Sequence, residues 1–190
     1  MMGPNGIAEE TYESLSRLIG QKLLKSRNFC ATRHFYFGEP DLTWRLDGPH
    51  YTLGIECPWR IQTSDAIIVG SEDYYEQAEG STDTSWEPGA ESGHLQDQKL
   101  AELLGELKDG DAINTRVELV VDHVVTDRYG GFQIGLSGGY SIVVCPCSRG
   151  QMEWIFILPE GGSIMLMNAE AVRARGNRRK NVRGRRDDTA

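Results

Sequence analysis

The chain has 190 residues, 39% of them hydrophobic and 25% charged, and a formal net charge of −8. That length supports one sizeable core, and the composition excludes a chain that is disordered throughout. No run of about 18 apolar residues is present to cross a bilayer, and MMGPNGIAEETYESL lacks the basic start and apolar stretch of a secretory signal, so cytoplasmic residence is the expectation.

The charge is unevenly placed. Residues 173–190 carry eight basic and two acidic side chains, a balance of +6, which leaves −14 for residues 1–172. The tail repeats like charges without an apolar face and is expected to be disordered. Residues 1–172 are expected to form a single α+β domain, mainly antiparallel sheet with two short helices.

In chain order, residues 8–19 predict a helix, with Tyr12, Leu15, Leu18 and Ile19 at helical spacing and Gly20 to end it. QKLLKSRNFC and the aromatic-rich ATRHFYFGEP predict two strands, and Asp47-Gly48-Pro49 a turn. HYTLGIEC predicts a third strand with Tyr51, Leu53, Ile55 and Cys57 on one face, and AIIVG a fourth. Residues 71–98 hold eight acids and no Lys or Arg, and read as a long loop with a single turn near Tyr74. KLAELLGEL predicts the second helix, with Leu100, Leu103, Leu104 and Leu107 as its stripe. NTRVELVVDHVVTD predicts a strand with Val117, Leu119, Val121, His123 and Val125 on one face. The hairpin turn at Asp127–Gly131, then FQIGL, the turn Ser137-Gly138-Gly139, YSIVVCP and the alternating Met152, Trp154, Phe156 and Leu158 predict an antiparallel meander. Strand-rich blocks on either side of the acidic loop make a loose pseudo-repeat of about 75 residues.

Cys30, Cys57, Cys145 and Cys147 are read as thiols in a reducing compartment. Cys145-Pro146-Cys147 has one intervening residue, where structural zinc pairs have two to four, and neither Cys30 nor Cys57 belongs to a pair. A nucleophilic Cys57 beside Arg60 would want an imidazole base, and His50 lies roughly 23 Å away along an extended strand. The phosphate loop, the His-Glu-x-x-His helix and the Gly-x-Ser-x-Gly elbow are missing from the sequence, and Asp109-Gly110-Asp111 is only a fragment of a calcium loop. No catalytic residue, cofactor or metal is assigned. The alternative kept open is a metal- or thiol-dependent enzyme centred on Cys57, Arg60, Cys145 and Cys147.

For Cys57, Pro58, Trp59 and Arg60 the preferred reading is structural: the proline stops a ladder, the tryptophan folds over the core, and Arg60 lies against it or pairs with Asp65 or Asp73. The partner-binding candidates are Glu72, Asp73, Tyr74, Tyr75, Glu76, Glu79, Asp83, Trp86 and Glu87. Interleaved aromatics supply contact area there, and carboxylates steer a basic protein. The negative body disfavours nucleic acid, leaving only the 173–190 tail to bind it.

The helix before Gly20, FYFGEP, HYTLGIECPWRI, AIIVGSED and the GYSIVVCP…MEWIFI pair together resemble a widespread group of small bacterial domains of unknown function. The resemblance spans residues 10–160. Some such acidic α+β proteins are similar to immunity proteins, which are encoded beside secreted toxins and neutralise them by binding. Ile155 stands where the group's pattern has an arginine after Glu153-Trp154, which weakens the case for a paired Trp-Arg site. The resemblance brings no activity with it; together with the acidic surface, the likeness to immunity proteins makes a non-enzymatic binder of a basic protein partner, such as a toxin domain, the expectation.

Overall fold

Two of the points where the chain changes from one antiparallel sheet to the other are Cys-Pro corners. The computed structural model describes residues 4–29, 32–38, 50–90, 92–148, 152–160 and 162–166. Helix α1 (Pro4–Leu15) tightens into a 3₁₀ turn at Ser16–Leu18 and is followed by β1 (Lys22–Phe29), β2 (Thr32–Gly38) and β3 (Tyr51–Ile55). Strands β4 (Trp59–Gln62) and β5 (Ile67–Gly70) lead to a 3₁₀ turn at Glu72–Tyr75 and helix α2 (Leu95–Leu104). Then come β6 (Gly105–Lys108), β7 (Asp111–Asn114), β8 (Val121–Thr126), β9 (Phe132–Leu136), β10 (Tyr140–Val144), β11 (Trp154–Ile157) and β12 (Ser163–Leu166). Seven strands form one sheet in the order β12-β11-β3-β2-β1-β7-β6, and five form the other in the order β5-β4-β10-β9-β8. The fold is therefore α+β and dominated by antiparallel pairing. No described helix is long and apolar enough to cross a membrane.

The first corner, Cys57-Pro58, carries the chain from β3 in the larger sheet to β4 in the smaller. The second, Cys145-Pro146, takes it back from β10 towards β11. The corners lie against each other: the Cys145 N–H donates to Pro58 O at 2.9 Å, and the Glu56 and Cys57 N–H groups donate to Glu153 O at 2.9 and 3.1 Å. Ile55 faces Trp154 on one side of the bend and Trp59 faces Val144 on the other, so one ladder runs through both sheets. Proline has no N–H to contribute, which lets the ladder lapse and turn at these points.

Alternation decides which side chains fill the space between the sheets. Trp59 and Ile61 of β4 point inward while Arg60 and Gln62 are half-buried, and Trp154 and Phe156 of β11 do the same. Phe35 and Phe37 from β2 meet Ile61, Ile134 and Ile142 in a single core. Trp154 is 1% exposed, sits edge-on to Phe132 at 5.4 Å, and donates its indole N–H to Gly130 O at 2.9 Å.

Several elements differ from the expected pattern. The first helix begins at Pro4 and ends at Leu15, and the tighter turn after it leaves Ile19 45% exposed, so only Leu15 and Leu18 of the expected stripe are buried with it. The second helix ends at Leu104, because Gly105 takes φ 121°; Leu107 lies on the exposed edge strand β6. Asp109 and Gly110 have positive φ and form the two-residue β6–β7 hairpin turn, not part of a cation loop. The strand expected from residue 114 starts at Val121, and a bulge between Val121 and His123 turns Val124 inward and leaves His123 and Val125 exposed. Only β8, β9 and β10 form the meander, since β11 joins the other sheet. Both strand-rich blocks contribute to both sheets, so the pseudo-repeat does not correspond to one sheet each. The 173–190 tail, the Asp47-Gly48-Pro49 turn, Cys30 and Glu91 lie outside the described residues.

Candidate functional site

The acidic stretch is held by its own hydrogen bonds. Leu95 N–H donates to Glu76 O and Ala78 N–H to Gly93 O, both at 2.8 Å, closing a ladder around the Gln77–His94 bridge. Inside that closure, the His94 ring is 1% exposed, stacks on Tyr74 at 4.2 Å and meets the edge of Trp86 at 6.2 Å. The Trp86 indole N–H donates to Ser92 O at 2.9 Å. The Asp73 carboxylate accepts the Gly70 N–H at 2.7 Å. Asp83 accepts the Ser85 hydroxyl at 2.6 Å and N–H at 2.9 Å, and these bonds hold its carboxyl below the usual range. Glu79 pairs with Lys99 at 3.2 Å.

These contacts divide the nine candidate residues. Asp73, Tyr74, Glu79, Asp83 and Trp86 build the loop. Glu72, Glu76 and Glu87 are exposed and have no ion-pair partner among the described residues. Tyr75, edge-on to Tyr74 at 5.2 Å, is 52% exposed.

The same turn forms one wall of a cleft of about 120 Å³ whose opposite wall is the Cys57 corner. Two features far apart in character along the sequence, the Cys-Pro-Trp corner and the start of the acidic loop, therefore share a site. Trp59 is 5% exposed and packs edge-on to Phe35 at 5.2 Å. Arg60 lies on the opposite face of β4 and donates its Nε–H to Gln62 Oε1 at 2.6 Å, pairing with neither Asp65 nor Asp73. Comparison with protein-family models, with curated proteins and with solved structures gives no match. The chemistry of the site must be argued from its own residues.

Beneath the cleft lies Arg33, 2% exposed although it stands in the aromatic strand β2. It shares an inward face with Phe35 and Phe37, and α2 supplies its partners. Arg33 Nε–H and Nη2–H donate to Gln96 Oε1 at 3.0 and 2.5 Å, and Nη2–H also donates to Asp97 Oδ1 at 2.7 Å. Gln96 in turn donates its amide N–H to Gly70 O at 2.7 Å, so the first turn of α2 clamps β2 to the end of β5. Burial lowers the Arg33 pKa, and the Asp97 carboxylate opposes that shift. Nη1 is buried with no hydrogen-bond partner among the described residues.

Cys57 is 5% exposed, and burial first, then the Glu153 carboxylate, pushes its thiol far up. Glu153, itself 5% exposed, accepts the Ser148 N–H and hydroxyl at 2.8 and 2.5 Å. A thiol so placed resists becoming the thiolate that nucleophilic chemistry requires. Cys145 and Cys147 are exposed. In a Cys30→Ser background, a thiol-reactive disulfide reagent at neutral pH is expected to label Cys145 and Cys147 first. Cys57 should follow more than about 10-fold more slowly, rising to their rate only in denaturant. Fast native labelling of Cys57 would contradict the structural reading of the corner. No group of three or more His, Cys, Asp or Glu side chains among the described residues forms a metal-holding cluster.

A second, wider groove of about 500 Å³ runs along β1, β7 and β6. Its cations are largely committed: Lys25 bonds Asp111 at 2.9 Å, and Arg27 pairs with the same carboxylate at 3.3 Å.

Arg33, Gln96 and Asn28, all lining the first cleft, were not among the sequence candidates. One signal was present. Arg33 occupies the same strand face as Phe35 and Phe37, and an arginine at an inward position requires buried partners elsewhere.

Proposed function

We propose that this chain is a non-enzymatic binding protein of the immunity type, acting in the cytoplasm, that recognises a basic protein partner through residues 72–87. The supporting observation is the division of the acidic loop. Its inner residues are consumed in holding its shape, while Glu72, Glu76 and Glu87 stand exposed without cations among the described residues, beside the exposed Tyr75. Such a surface loses little conformational entropy on binding, and its field speeds encounter with a basic surface. The −14 balance of residues 1–172 extends that field beyond the loop. Exposed free thiols at Cys145 and Cys147 suit a reducing compartment. The burial of Cys57 and the placement of Arg60 on the far face of β4 argue against the thiol-enzyme alternative.

The test is capture of the partner from the producing cells by tagged chain, comparing wild type with Glu76→Lys/Glu87→Lys. The expected result is a basic protein whose affinity falls by about 10–100-fold in the double variant and declines steadily as salt rises from about 50 mM to about 1 M. Both substitutions are on exposed side chains, so thermal stability should be unchanged. A partner held equally by both proteins, and equally at high salt, would refute the electrostatic reading.

A further inference from the structure

The larger sheet ends at β6, a strand of four exposed residues whose outer side carries no neighbouring strand among the described residues. Its hairpin fixes which backbone groups face outward. Asp109 and Gly110, with φ 53° and 80°, make a two-residue turn, so Lys108 and Asp111 form the hydrogen-bonded pair that closes it. Such pairs recur at every second position, and the Thr115 N–H, donating to Leu104 O at 3.0 Å, keeps the same phase at the far end. Leu107 stands between these pairs, opposite Ala112, and so turns its N–H and C=O away from β7 towards the open edge.

The side chains of this edge are matched to their own copy. Glu106 and Lys108 share one face, line the wider groove, and form no ion pair among the described residues. Leu107 lies on the other face and is 50% exposed. An identical strand laid antiparallel, with a two-fold axis through Leu107, sets Glu106 opposite Lys108 twice and Leu107 opposite itself. Leu107 then exchanges both outward backbone bonds with its copy. The two Glu106–Lys108 pairs fall at non-hydrogen-bonded positions, where opposite side chains come closest. Moving the axis to Glu106 or to Lys108 sets like charges against each other and meets backbone groups already bonded to β7. A lysine on a sheet edge ordinarily repels an approaching copy; Glu106, two residues earlier, cancels that guard in this one register. We propose that β6 is a self-pairing edge, through which two copies of this chain join their larger sheets about Leu107. The contact uses the same patch on both copies and closes on itself, so it yields a dimer and not a fibre. Each chain carries a net charge of −8, so the copies repel at low salt and pair best near physiological ionic strength.

The experiment follows backbone amide NMR signals of the isotope-labelled full chain from about 20 μM to about 1 mM in about 150 mM salt, with sedimentation equilibrium on the same samples. Concentration-dependent shifts centred on Glu106, Leu107 and Lys108 are expected, with a dissociation constant of about 100 μM. That strength suits a contact smaller than the roughly 1,200–2,000 Å² of stable interfaces. Glu106→Lys and Lys108→Glu should each weaken self-association at least about 10-fold, since either change sets like charges opposite each other. An equal mixture of those two proteins should associate at least as tightly as wild type, and Glu106→Lys/Lys108→Glu should dimerise as wild type does. Both positions are exposed, so the melting temperature of the monomer should not change. A chain that stays monomeric at about 1 mM, single variants that associate as tightly as wild type, or a mixture no tighter than either variant alone would each overturn the proposal.

Discussion

Replacing Asp97 by alanine should destabilise the fold by about 3–5 kcal/mol, measured by urea denaturation. Arg33 and Asp97 are 2% and 13% exposed in their side chains, and their 2.7 Å contact joins strand β2 to helix α2. Alanine removes the carboxylate but leaves the guanidinium buried with only Gln96 to receive it, and an unpaired buried charge is among the costliest single defects. Asp97→Asn keeps a hydrogen-bond acceptor without the charge and should fall between wild type and alanine. The double variant Arg33→Met/Asp97→Ala should recover most of the loss, since an apolar side chain of similar length beside Phe35 leaves no charge to solvate. A single-variant cost below about 1 kcal/mol would mean that the pair is not buried in solution.

Trp154→Ala should cost about 3–5 kcal/mol by the same measurement, for a different reason. The indole is 1% exposed, lies edge-on to Phe132, and donates to Gly130 O where the β8–β9 turn meets β11. Alanine opens a cavity and orphans that carbonyl together, whereas Trp154→Phe preserves much of the packing and loses mainly the hydrogen bond and part of the volume. The phenylalanine variant should therefore be clearly more stable than the alanine variant, and equal losses would assign the whole effect to the Gly130 contact.

The strands with clean alternation were readable because period-two burial is written directly into residue order. Trp154 and Phe156 alternate along their strand, as do Leu53 and Ile55, and all four are buried. What alternation cannot encode is which sheet a strand joins. Trp59–Gln62 follows Tyr51–Ile55 after three residues yet belongs to the other sheet, and only the proline corner hints at the change. The bulge near Asp122 likewise shifts a pattern that looks unbroken in sequence, so His123 and Val125, expected on the buried face, are exposed.

The candidate site was legible in part. Loss of basic residues after Gly70 pointed to the acidic loop, but sequence gave no means of sorting Glu72, Glu76 and Glu87 from Asp73 and Asp83. That separation depends on the backbone N–H groups of Gly70 and Ser85, which donate to the two aspartate carboxylates. Arg33 and Gln96 were invisible as a pair because 63 residues separate them. Cys57 was conspicuous for its unusual neighbours, and its burial makes it part of the wall.

Amide hydrogen exchange on the isolated chain and on its complex with the captured partner tests the binding reading most directly. The account predicts new protection across residues 72–90, centred on the Glu72–Tyr75 turn, with the β6 edge and the Lys25–Asp111 groove unchanged. Protection confined to that edge or groove, with the acidic loop exchanging as in the free protein, would contradict it.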